Sequence, residues 1–167
     1  MKWIIALVSL LALAVAADGA DAKERFKARL TGDQEVPTPV VTDATGRFDI
    51  LFNDDLTEAR FALTVRGLQG VQRAHLHCNV AGSNGPIFIH LIGDLHATTA
   101  SQPTPSSIDV DGKWLDHARL TNGSFTLLTS DCGDTLAELV DAIKAGMVYV
   151  NVHTVANPAG AIRGQLQ

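Results

Sequence analysis

Short runs of strictly alternating apolar residues constrain this chain most. Phe26, Ala28 and Leu30 alternate with Lys27 and Arg29. Phe48, Ile50 and Phe52 alternate with Arg47, Asp49 and Leu51, and Phe61, Leu63 and Val65 with Ala62, Thr64 and Arg66. A period of two is the signature of a strand with one buried face. The second and third runs are joined by the polar turn Asn53-Asp54-Asp55, which predicts an antiparallel hairpin. Further strands are expected at Arg73–Cys78, Ile87–Ile92, Ser124–Thr129, Met147–Thr154 and Ala161–Leu166. Ile87–Ile92 is apolar on both faces, as a central strand would be. Residues 97–107 carry no periodicity and read as a connection, and residues 108–122 give no clear pattern. Gly67 and Gly70 punctuate the approach to Arg73, and the prolines of residues 36–40 make that stretch loop or edge.

One helix stands out. Thr135 and Glu138 have capping-box spacing. Leu136, Leu139, Val140 and Ile143 form one apolar stripe, and Gly146 follows as a stop. The helix should span about 134–145. Many short strands with one late helix predict an all-β, antiparallel sandwich. No internal repeat is present.

The amino terminus reads as a signal peptide, residues 1–17. Lys2 precedes an apolar run from Ile4 to Ala17 that ends in small residues. The competing reading is a membrane anchor, but the run falls short of the ~18 residues a span needs. Residues 18–25 are a polar, flexible lead, and 26–167 a single domain. Of 13 basic and 18 acidic residues, the signal carries Lys2, so the mature chain has 12 − 18 = −6. That balance argues against nucleic acid or an anionic membrane as partners. It leaves a secreted or periplasmic protein without a membrane span.

Chemistry concentrates in the histidines. His75 and His77 are two apart on an expected strand and so share a face. His153 lies on a second strand. Three imidazoles brought together suit copper or zinc; the alternative is a hydrogen-bonded structural cluster. His90, among apolar neighbours, is a core histidine or a fourth ligand. Asn151 and Thr154 are candidates to orient His153. His96 and His117 sit in polar surroundings and read as surface residues. Cys78 and Cys132 form an even pair, which in an oxidising compartment suggests one disulfide; the alternative is Cys78 as a free thiol or metal ligand beside His77. Arg163 has two readings, attraction of an anion to a site or pairing with a carboxylate such as Glu35. Asn122-Gly123-Ser124 fits both an N-glycosylation sequon and a turn. The Gly82-to-Pro86 loop lacks the lysine of a phosphate cradle.

Several motifs taken together resemble the CHRD domain, the module named after chordin. They are Gly32-Asp33-Gln34-Glu35-Val36-Pro37, Thr45-Gly46, Gly67-Leu68, Ala74-His75-Leu76-His77, Gly82-Ser83-Asn84-Gly85-Pro86, Gly146 to Thr154, and Asn157 to Leu166. The resemblance runs from about Phe26 to Leu166. It implies a secreted, immunoglobulin-like sandwich without one fixed activity, because the domain occurs alone in microbial proteins and within animal extracellular signalling proteins. A second similarity is to copper–zinc superoxide dismutases: His-x-His, a later His in a Val-rich strand, then Asn-x-Ala-Gly-x-x-Arg. It implies copper ligands at His75, His77 and His153 and an anion-guiding, catalytic role for Arg163. The zinc loop of those enzymes has no counterpart here. The leading expectation is therefore an exported binding module holding one copper ion, with zinc as the second metal. The alternatives are a superoxide dismutase-like enzyme and a metal-free extracellular protein-interaction domain.

Overall fold

The computed structural model describes residues 23–92, 107–126 and 130–167. The signal segment, most of the polar lead, His96, most of the 97–107 connection and the end of the 124–129 run lie outside the described residues.

The described residues form seven strands and one α-helix. The strands are β1 (Arg25–Thr31), β2 (Thr45–Phe52), β3 (Glu58–Cys78), β4 (Ile87–Ile92), β5 (Ile108–Thr121), β6 (Val148–Thr154) and β7 (Ile162–Gln165). The helix α1 (Leu136–Lys144) falls between β5 and β6. All strand pairs are antiparallel. The fold is all-β with one late helix, as the alternation implies.

The hydrogen-bonded order is β2-β1-β7-β6-β3-β4, and β3 also pairs with β2. The path therefore closes on itself in a barrel-like way through β3. That strand spans 21 residues. Its first half pairs with β2 from Ala59 to Arg66, and its second half with β6 from Val71 to Cys78. Between the halves Gly67 and Gly70 adopt φ of 66° and 62°. Residues with side chains rarely take such values, so these glycines let one strand bend from one leaf into the other. The predicted hairpin is β2–β3, with Phe52 opposite Ala59. Asn53 Oδ1 holds its turn by accepting from the N–H groups of Thr57 and Glu58.

The predicted apolar faces meet inside. Leu30, Phe48, Ile50, Phe52, Leu63, Val65, Leu76, Val150, Val152 and Ile162 are almost fully buried. Each such side chain contributes about 1.5–3 kcal/mol of hydrophobic stabilisation. The helix adds Leu136, Leu139, Val140 and Ile143 to the same cluster. Its capping box forms as expected: Thr135 Oγ1 accepts from Glu138 N–H, and Glu138 Oε2 accepts from Thr135 N–H.

Three expectations need correction. Residues 108–121 form a strand, β5, along β3. Only Val110 and Leu120 of β5 are buried, and its register shifts four times against β3, which erases any period of two. The run at 124–129 is not a strand where described: Asn122–Ser124 is a short 3₁₀ turn and Phe125 makes an isolated bridge to Ile89. β4 is not central; it ends the path. Among the described residues no helix is long and apolar enough to cross a membrane.

Candidate metal centre

Strand parity builds the site. On β3, Ala74 and Leu76 point into the core, so His75 and His77 point to the other face. Antiparallel register sets Arg73 opposite His153, His75 opposite Asn151 and His77 opposite Tyr149. On β7, Arg163 lies opposite Asn151 and Gln165 opposite Tyr149. On β4, His90 lies opposite His75. One face of four adjacent strands thus gathers nearly all the polar residues of this region. Most of that face is buried as well: His75, His77, His153 and Arg163 are 2%, 8%, 7% and 2% exposed.

The three predicted histidines converge. One ring nitrogen from each can be chosen so that all lie within 4.8 Å of one another. His75 Nδ1 is 3.1 Å from His153 Nε2. His90 stands edge-on to His75 with ring centroids 4.8 Å apart, but it is outside this trio.

Two imidazoles are oriented by backbone carbonyls. His77 Nδ1 lies 3.0 Å from Gly85 O, and His153 Nδ1 lies 3.1 Å from Pro158 O. A carbonyl can only accept, so these Nδ1 atoms carry the hydrogens and both Nε2 atoms carry lone pairs. His153 Nε2 then accepts from His75 Nδ1–H, which leaves His75 Nε2 bare. Among the described residues, His75 Nε2 and His77 Nε2 are both buried with no hydrogen-bond partner. Burial pushes the imidazole of His75 down to about 2, with the neighbouring His153, His90, His77 and Arg73 adding to the shift. Burial likewise lowers His77 to about 4 against the bond to Gly85, and His153 to about 4 against the bond to Pro158. All three rings are neutral at pH 7, the form that binds a metal.

Around the trio the face is layered. Tyr149 stacks on His77 at 4.8 Å between centroids, with 11° between the rings. The guanidinium of Arg163 lies 3.5 Å from the Tyr149 centroid on its ring face. Gly85 is the hub of this packing, since its carbonyl orients His77 and its N–H donates to the Tyr149 hydroxyl at 3.0 Å. A Cβ at Gly85 would collide with the carbonyl of Cys78.

Arg163 ties down a loop, though through a different partner than Glu35. It donates to Asn84 Oδ1 at 3.1 Å and to the Ser83 carbonyl at 2.7 Å. Glu35 is instead buried against Asn151, whose Nδ2 donates to Glu35 Oε2 at 3.3 Å. Burial raises the Glu35 carboxyl to about 7, although Asn151 and Arg163 oppose the shift. The two residues expected to orient His153 do other work: Asn151 holds Glu35, and Thr154 Oγ1 accepts from Asn157 N–H. Sequence reasoning missed Gly85 and Pro158 because both act through main-chain carbonyls. Tyr149 was detectable, since it shares its strand face with His153.

Cys78 and Cys132 are bonded, with Cα atoms 5.7 Å apart. Cys78 therefore offers no thiolate to the histidines beside it. His117 is an exposed residue of β5 near Asp116. Asn122 is exposed too, and its Oδ1 accepts from Leu136 N–H at the start of α1.

Fold and site together define an antiparallel β-domain with a buried three-histidine cluster on one sheet face. The chain belongs to the CHRD domain family, whose pattern matches residues 26–166. No curated protein and no solved structure matches the chain.

Proposed function

We propose that this chain is an exported binding module that holds one copper ion through one ring nitrogen each of His75, His77 and His153. The observation that carries the reading is the convergence of three neutral imidazoles around a buried lone pair, His77 Nε2, that finds no donor among the described residues. An unsatisfied buried acceptor costs about 1–3 kcal/mol. A bound cation removes that cost, and the carbonyls of Gly85 and Pro158 hold two of the rings in place for it. Copper is preferred to zinc because N-donor sites bind divalent copper more tightly. Export rests on the signal-like residues 1–17 and on the oxidised cysteine pair. A binding role is favoured over superoxide turnover because Arg163 is buried and engaged with a loop.

The test is metal content. Residues 18–167 are loaded with copper, with and without ascorbate, desalted, and assayed for copper per chain. The expected result is one copper per chain in the wild type and none in the triple variant His75→Ala, His77→Ala, His153→Ala. Failure to retain stoichiometric copper, or retention unchanged in the variant, overturns the proposal.

A further inference from the structure

The charges around the cluster bear on which form of the metal it takes. Among the described residues, no aspartate, glutamate or cysteine joins the three histidines. Cys78, the nearest sulfur in sequence, is held in the disulfide. Two of the rings donate their Nδ1–H to neutral carbonyls rather than to carboxylates, so neither acquires imidazolate character. A full positive charge, Arg163, stands two layers behind His77, with Tyr149 between them. The carboxyl on this face, Glu35, is occupied by Asn151 and is only partly ionised near neutral pH. An ion here meets dipoles and the positive charges of Arg163 and Arg73, the latter acting on both His75 and His153, but among the described residues no dedicated counter-anion.

From this we infer that the site is built for monovalent copper, and that it holds Cu(I) in preference to both Cu(II) and Zn(II). The inference rests on the copper reading above and narrows it to one oxidation state. The cost of moving an ion out of water grows with the square of its charge, so the second unit of charge costs about three times the first. A dication in a neutral three-imidazole shell ordinarily recovers part of that cost by keeping a water or hydroxide as a fourth ligand. That ligand needs room and hydrogen-bond partners, and these three histidines are at most 8% exposed. Cu(I) has a filled d shell and accepts three ligands without a fourth. The 3.1 Å separation of His75 Nδ1 and His153 Nε2 is close to the spacing of two nitrogens on one ion at about 2.0 Å. Binding through His75 Nδ1 moves that ring's hydrogen to Nε2 and requires no change in its charge.

The experiment compares three ions on wild-type residues 18–167. Cu(I) affinity is measured anaerobically by competition with a chromophoric cuprous chelator. Zn(II) affinity is measured with a chromophoric zinc chelator, and Cu(II) affinity by titration followed by electron paramagnetic resonance. The expected result is Cu(I) bound at least a hundredfold more tightly than either dication, with no cupric signal from the Cu(I)-loaded protein. Zn(II) or Cu(II) bound as tightly as Cu(I) overturns the inference but leaves a metal site. No binding of any of the three ions overturns the copper reading itself. Arg163→Gln should shift the balance about tenfold toward the dications, as expected for one charge about 10 Å away at an effective dielectric near 20. Arg163→Lys keeps the charge and should keep the wild-type ratio; a ratio that follows loss of loop contacts rather than loss of charge would overturn the electrostatic argument.

Discussion

Acid should destabilise the metal-free protein at a pH where most surface carboxylates are still ionised. In the folded state the imidazoles of His75, His77 and His153 are depressed to about 2, 4 and 4. In the unfolded chain each returns to about 6.5. A depressed histidine means that the unfolded state binds more protons, so stability falls as pH drops below 6.5 and keeps falling until the folded pKa is reached. At pH 5 each unfolded imidazole gains about 2 kcal/mol from protonation that its folded counterpart does not share. Three of them remove roughly 5–6 kcal/mol relative to pH 7. Glu35 acts in the opposite direction. Its folded pKa of about 7 lies above the unfolded value of 4.5. The stability it contributes is therefore fully present below 4.5 and lost as pH rises through 7. Between pH 7 and 5 it restores about 2 kcal/mol. The net expectation is a loss of about 3 kcal/mol, a large part of the 5–15 kcal/mol typical of a domain.

The assay is urea unfolding of residues 18–167 at pH 7 and pH 5, with chelator present. With a slope of about 1–3 kcal/mol per molar, the midpoint should fall by about 1–3 M. Glu35→Gln removes the opposing contribution, so its midpoint should fall further over the same interval. An unchanged or higher midpoint at pH 5 would refute the assignment of three buried, neutral imidazoles.

The remaining predictions are structural. Replacing Cys78 and Cys132 together by Ala opens a loop of 54 residues, and the chain-entropy relation puts the loss near 4 kcal/mol, readable as a lower urea midpoint. Gly85→Ala forces the 79–86 loop away from Cys78 and takes the carbonyl from His77; metal affinity should fall about 10–100-fold in the same competition titration. Thr135→Ala removes the cap of α1 and should cost about 1 kcal/mol by thermal or urea unfolding, without changing metal stoichiometry.

The strands that were legible in the sequence are those whose two faces differ sharply in burial. β1, β2 and the first half of β3 alternate buried and exposed positions almost residue by residue, and α1 carries both its stripe and its capping box. β5 failed that test for a physical reason. It packs against β3 with half of its residues exposed and only two buried, and it takes Gly112 and His117 through positive φ of 139° and 52°. A strand held by backbone pairing rather than by a buried face leaves little trace in side-chain chemistry. The same distinction divides the site. The three histidines could be read from parity and residue type, whereas their orientation comes from the carbonyls of Gly85 and Pro158, which no side chain advertises. The partners of Arg163 lie about 80 positions away, at Ser83 and Asn84, and the β3–β6 and β6–β7 pairings together bring them within reach.

The placement of unsatisfied atoms is the support for the proposed metal site over a purely structural cluster. A polar face buried beside a β core is costly unless each group finds a partner. Here Arg163 is matched to the loop and stacked on Tyr149, Gln165 donates to the carbonyls of Asn79 and Gly146, and Tyr149 accepts from Gly85. Those residues close the loop over the site with their own hydrogen bonds well satisfied. Among the described residues of this face, the deficit falls on His75 Nε2 and His77 Nε2 at the cluster and on Glu35 Oε1 and Asn151 Oδ1 beside it. A fold selected for stability alone would fill that position with apolar side chains, since a half-satisfied polar network is worse than a greasy one. The carbonyls of Gly85 and Pro158 instead hold the rings of His77 and His153 neutral, with His75 packed against them. That combination of a well-satisfied frame around unsatisfied acceptors is what a preorganised cation site requires, because ligands fixed in advance lose little entropy when the ion arrives.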